Sequence, residues 1–193
     1  PDKMTRFHEG AIMEISKNQS IDSIAKIFLK TTQSTLKQST GKEINYANTI
    51  QKITRISMRP DLTCFVQFSG DYMGLVIFNF SDEAAFEIYR QYMINMGMPE
   101  DQLATSISDP EVTDTIGEIS NQLMGQLIKS VEEKYNLNAD YGQPKALTIS
   151  SAISLSINDT YTENRRLSFK ISNYIFRIEI AMENSEFIDV AGL

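Results

Sequence analysis

Apolar and polar residues alternate with two different periods along the chain. Ile21, Ile24, Ala25, Phe28 and Leu36 recur at helical spacing and Gly41 follows as a stop, predicting a helix over 21–39. The period then shortens toward two. Ile53, Ile56 and Met58 predict a strand before Pro60, while Leu62 to Phe68 and Met73 to Phe80 flank the turn residues Ser69-Gly70-Asp71-Tyr72. Ser81 reads as a helix cap, with Asp82 and Glu83 in a first turn where the dipole favours negative charge. That second helix runs to Met96 and is ended by Gly97 and Pro99. A polar loop over 98–109 leads to Asp109-Pro110, a cap and first-turn proline that open a third helix reaching Tyr135. After Pro144, Ala146 to Ile157 and Arg166 to Met182 alternate again, joined by a turn over 158–164. This is not a regular βαβ series. The expected fold class is α+β, with helices packed on a mainly antiparallel sheet. Residues 1–20 read as an N-terminal tail and 21–193 as a single domain.

The third helix separates into two faces. With Asp114 at zero, Ile116, Ile119, Leu123 and Leu127 fall between roughly 140° and 220°, the expected buried stripe. Glu118, Asn121 and Gly125 fall within roughly 40° of Asp114, on the opposite face. Glu118 and Asn121 are three apart, so their side chains are neighbours. Asn121 is a mediocre residue for a helix interior, and Gly117 and Gly125 each cost about 1 kcal/mol relative to alanine. Glycines flanking a carboxylate and a carboxamide imply a close approach by another backbone or a partner. The plainer alternative is a solvated face that tolerates these residues, as amphipathic helices often do.

Charge and composition narrow the chemistry. The chain has 193 residues, 18 basic and 25 acidic, for a net charge of −7. Its sequence pI is near 4.8. Such a balance argues against nucleic acid and anionic membrane surfaces as partners. The single cysteine, Cys64, lies in an apolar run and reads as a small buried hydrophobe, excluding an intrachain disulfide framework and a thiolate zinc site. The single histidine, His8, sits near the N-terminus, which removes most Ser-His-Asp, Cys-His and His-metal chemistry. Ser69 to Gly74 lacks the lysine and the spacing of a phosphate loop. With no run of 18 apolar residues and no leader, the expectation is a soluble, cytoplasmic protein. Met93, Met96 and Met98 read as core and loop contacts before a binding surface, and Asn138 and Asp140 as a turn before a cation site.

The spacing on the third helix resembles a known family. Asp114, three residues, Glu118, two residues, Asn121, then twenty-two residues and Pro144 is similar to the pattern of the CheC/CheX/FliY phosphatases of bacterial chemotaxis. The run Ile116 to Gly125 resembles the family helix, both glycines included, and Phe68 to Phe78 resembles its glycine-containing hairpin. The first helix carries Asp22, Lys26 and Leu29 where a second Glu-x-x-Asn would stand, so the one-site CheX type is the nearer relative. Thr148 to Ser151 stands where the family often has glycine.

The resemblance implies a phosphatase that hydrolyses the aspartyl phosphate of a CheY-type response regulator. Asn121 would orient the water, and Glu118 would dock the partner's lysine, making these the expected catalytic residues. Asp114 and Gly125 would support binding, and Pro144 would set a strand start. No cofactor or metal is expected on this chain; Mg2+ would belong to the partner. A homodimer is implied as well. Two other readings remain: a non-catalytic module of the same fold that binds a receiver or flagellar switch, and a structural dimer unit.

Overall fold

The computed structural model describes residues 19–156, 161–188 and 190. In chain order the elements are α1 (Gln19–Thr40), β1 (Ile44–Tyr46), β2 (Gln51–Lys52), β3 (Ser57–Met58), β4 (Leu62–Gly70), β5 (Gly74–Phe80), α2 (Asp82–Asn95), a 3-10 turn (Glu100–Gln102), α3 (Pro110–Tyr135), β6 (Ala139–Tyr141), β7 (Lys145–Thr148), β8 (Ile153–Ser154), β9 (Glu163–Ile171) and β10 (Tyr174–Met182). The main sheet runs β1-β9-β10-β5-β4-β6, with β2 beside β9 and β7 beside β4. Every pairing is antiparallel. The expected α+β architecture is the one observed.

Strand alternation sends one set of side chains to the helices. Leu62, Cys64, Val66 and Phe68 of β4 and Val76, Phe78 and Phe80 of β5 are buried with Leu167, Phe169, Phe176, Ile178 and Ile180. Ile24, Phe28 and Leu36 of α1, Ala84 and Ile88 of α2, and Ile116 and Leu123 of α3 complete this core. Two glycines at the turn end of the β4–β5 hairpin let neighbouring segments come close. A Cβ at Gly74 would lie 2.3 Å from the Ala181 carbonyl oxygen, and one at Gly70 2.4 Å from that of Asn138.

The opposite face of the sheet is covered over part of its area by residues 53–58 and 153–155. Ile56, Ile77 and Ala181 are buried there, with Ile53, Met58, Leu155 and Tyr161 packed around them. Two polar side chains from the sheet fasten this strap. Glu179, fully buried, accepts from Ser57 N at 2.6 Å and from Arg166 Nε at 2.7 Å. Asn79 accepts from Arg59 N at 2.8 Å and donates to the Ser57 carbonyl at 2.9 Å.

Several boundaries differ from the sequence expectation. Gln19 and Ser20 belong to α1, and Ser20 Oγ accepts from Phe187 N at 2.9 Å; residues 1–18, including His8, lie outside the described residues. The strand expected before Pro60 is two short pieces, β2 and β3. The alternation over 146–157 breaks into β7 and β8. That over 166–182 is a hairpin, β9 and β10, turning at Ser172 with φ 52°. The buried positions are odd in β9 (Leu167, Phe169, Ile171) and even in β10 (Phe176, Ile178, Ile180), so the phase of the alternation flips across the short polar turn, and that flip is the mark of the hairpin in the sequence. The loop over 98–109 contains the 3-10 turn and the buried Leu103, and Met93 and Met98 pack with Tyr89 and Val112, whereas Met96 is exposed. Asp140 is the middle residue of β6, whereas Asn138 lies in the connection just before that strand, its N–H donating to Asp71 Oδ2 at 2.8 Å.

Candidate functional site

The third helix of the sequence analysis is α3, and its ends form as its capping residues require. Asp109 Oδ1 accepts from Glu111 N at 3.0 Å and Pro110 occupies the first turn. Asn136 ends the helix in the left-handed region at φ 54°, its N–H donating to the Glu132 carbonyl at 2.7 Å. Ile116, Ile119, Leu123 and Leu127 are buried as the wheel predicts. So are Val112, Ser120, Met124, Ile128 and Val131, because α3 touches α1, α2, β4, β6 and β7. The polar face is therefore a narrow ridge.

Asp114, Glu118 and Asn121 all lie on that ridge. Asp114 and Glu118 are exposed and Asn121 is half-buried. Among the described residues no hydrogen bond or ion pair involves the Asp114 or Asn121 side chain. Glu118 Oε1 accepts from Gln122 Nε2 at 3.0 Å, and the same nitrogen reaches Tyr92 Oη of α2 at 3.3 Å. Gln122 was not among the sequence candidates. Its four-residue spacing from Glu118 was the available signal; Tyr92 carried none, because its place beside α3 depends on packing.

The glycine flank faces this chain's own strands. A Cβ at Gly125 would lie 2.9 Å from Tyr141 Oη of β6, and one at Gly117 3.8 Å from Ala146 Cβ of β7. The approach inferred from the glycines is thus made, at least at Gly125, by Tyr141. Pro144 is buried between these two strands, where Gly142 N still donates to the Gln67 carbonyl at 3.0 Å. A residue without an N–H fits that interruption of the edge.

On α1, Asp22 is bound into the fold. Its Oδ1 accepts from Nε of the buried Arg165 at 2.6 Å. Arg165 Nη2 also stands 3.2 Å from Glu163 Oε2, near enough for an ion pair but out of line for a hydrogen bond. Cys64 is fully buried, and loss of solvation pushes its thiol up to about 11 against the weaker, opposite pull of the Ser120 hydroxyl. Among the described residues no group of three or more His, Cys, Asp and Glu is placed to hold a metal ion. No described helix is long and apolar enough to cross a membrane.

Three helices on one face of this antiparallel sheet define the CheX/CheC-type fold. CheX from Desulfovibrio desulfuricans shares it at TM-score 0.68 and 18% identity, covering 83% of this chain and 99% of that one. A CheC-like superfamily protein from Shewanella sp. PV-4 matches at TM-score 0.68 and 19% identity, covering 83% and 97%. The CheX-CheY-BeF3-Mg2+ complex from Borrelia burgdorferi matches at TM-score 0.56 and 16% identity, covering 82% and 97%. At these identities the likeness is one of fold. By sequence, the family described as "Protein of unknown function (DUF3334)" matches residues 16–193, and the chain belongs to that family. No curated protein matches the chain by sequence.

Proposed function

We propose that this protein is a cytoplasmic phosphatase acting on the aspartyl phosphate of a CheY-type response regulator. The observation that carries the reading is the α3 ridge, where an exposed Glu118 stands three residues from an Asn121 whose carboxamide makes no hydrogen bond among the described residues. The fold supports it, because one solved relative of that fold is a complex of CheX with CheY, BeF3 and Mg2+. In the reaction, water attacks phosphorus in line, the bond between phosphorus and the aspartyl oxygen breaks, and phosphate leaves the restored carboxylate. A carboxamide both accepts and donates, so Asn121 holds the water in line without serving as a base. Glu118 pairs with the receiver's lysine and docks the ridge, with Asp114 one turn upstream as a further contact. Mg2+ belongs to the receiver and offsets charge on the phosphoryl oxygens. The working unit is a homodimer.

The test is phosphate release from an acyl-phosphate-charged CheY-type receiver with Mg2+, with and without this protein. Asn121→Ala is expected to lower the accelerated rate by about a hundredfold while binding persists. Glu118→Ala is expected to weaken both binding and turnover. Equal rates for wild type and Asn121→Ala would reject the mechanism. Tight receiver binding with an unchanged decay rate would make the protein a binding module instead.

A further inference from the structure

We infer that Gln122 is a positioning residue that holds Glu118 ready for the partner's cation; this rests on the phosphatase reading above. Gln122 Nε2 carries two protons, and the structure gives each an acceptor: Glu118 Oε1 at 3.0 Å and Tyr92 Oη at 3.3 Å. Tyr92 is itself half-buried and packed against the main core. Glu118 is thereby braced through Gln122 to α2, although its own side chain is exposed.

The chemistry gives this brace a consequence. An ionised carboxylate only accepts hydrogen bonds, and it has two oxygens. Gln122 takes Oε1, and Oε2 has no partner among the described residues. The free oxygen is the one left to meet an ammonium group. A long, exposed glutamate otherwise loses rotamer freedom on docking, and a tether present before binding removes part of that loss. Gln122 therefore acts on association, not on the chemical step. It touches neither phosphorus nor water.

The experiment measures steady-state phosphate release over a range of phosphorylated receiver concentrations, together with the affinity for beryllofluoride-charged receiver. Gln122→Met keeps length and helix preference but removes the donor. It is expected to raise KM and Kd together by about three- to tenfold, with kcat within about twofold of wild type. Gln122→Glu places a like charge beside Glu118 and is expected to be worse than Gln122→Met. Tyr92→Phe removes the far anchor and is expected to shift both constants the same way by less. A merely structural role would move the urea midpoint instead and leave the KM-to-kcat split unchanged. Wild-type KM and Kd in Gln122→Met, with Asn121→Ala inactive, would overturn the brace and leave the phosphatase standing. Asn121→Ala as active as wild type would overturn the role given to Asn121, while the Kd comparison still decides whether Gln122 positions Glu118 for binding. No receiver binding by the wild-type protein would overturn both.

Discussion

Gly117 and Gly125 look alike in the sequence but stand in different surroundings. A methyl group at 117 meets only Ala146 Cβ at ordinary contact distance, whereas one at 125 would press on Tyr141 Oη at 2.9 Å. Gly117→Ala is expected to stabilise the protein by about 0.5–1 kcal/mol, read as a higher urea midpoint. Gly125→Ala is expected to gain less, since Tyr141 must move aside. Cys64 offers a pH test at the same scale. Its folded-state pKa is raised from 9.0 to about 11, so the unfolded state gives up the proton first. Its share of stability is intact below pH 9 and is lost as pH climbs through about 11. Urea midpoints at pH 8 and pH 10.5 should therefore fall less in Cys64→Ala than in wild type. Iodoacetamide at pH 8 should label Cys64 only after unfolding.

Elements differ in how much of their placement is local. The three helices were legible through local signals: a periodic stripe and Gly41 for α1, the Ser81 cap and Gly97 for α2, and Asp109-Pro110 with a periodic stripe for α3. The candidate site was legible for the same reason: Asp114, Glu118 and Asn121 share a ridge through helical geometry alone. What braces and flanks that ridge was not, because Tyr92, Tyr141 and Ala146 reach it from other elements. The three-residue strands β1 and β6 were missed since their pairing, with β9 and β4, is tertiary. The strap was half-seen through its apolar residues, and its polar fasteners were invisible until β10 and β5 placed Glu179 and Asn79 beneath it. Glu179→Ala would leave the Arg166 guanidinium and Ser57 N–H without their buried carboxylate. It is expected to cost about 3–5 kcal/mol in urea unfolding, with hydrogen exchange rising first in residues 53–58.

At the scale of the whole molecule, contacts distant in sequence close the fold. Asp22 and Arg165 join the first helix to β9, and Ser20 joins it to Phe187. The α+β arrangement was predictable from the order of elements, but the strand order was not, because it puts β10, last in sequence among the strands, between β9 and β5 at the middle of the sheet. Ile178 and Ile180 of β10 are fully buried there. A variant ending at Ser172 is therefore expected to lose cooperative unfolding and near-ultraviolet circular dichroism, even though every residue of the α3 ridge remains. The same order governs synthesis on the ribosome. Every residue proposed for chemistry emerges before the strand that completes the sheet beneath it. Until β10 leaves the exit tunnel, β5 offers an unpaired edge and the helices lack part of their floor, so the nascent chain is exposed to aggregation through the interval between the emergence of β5 and that of β10.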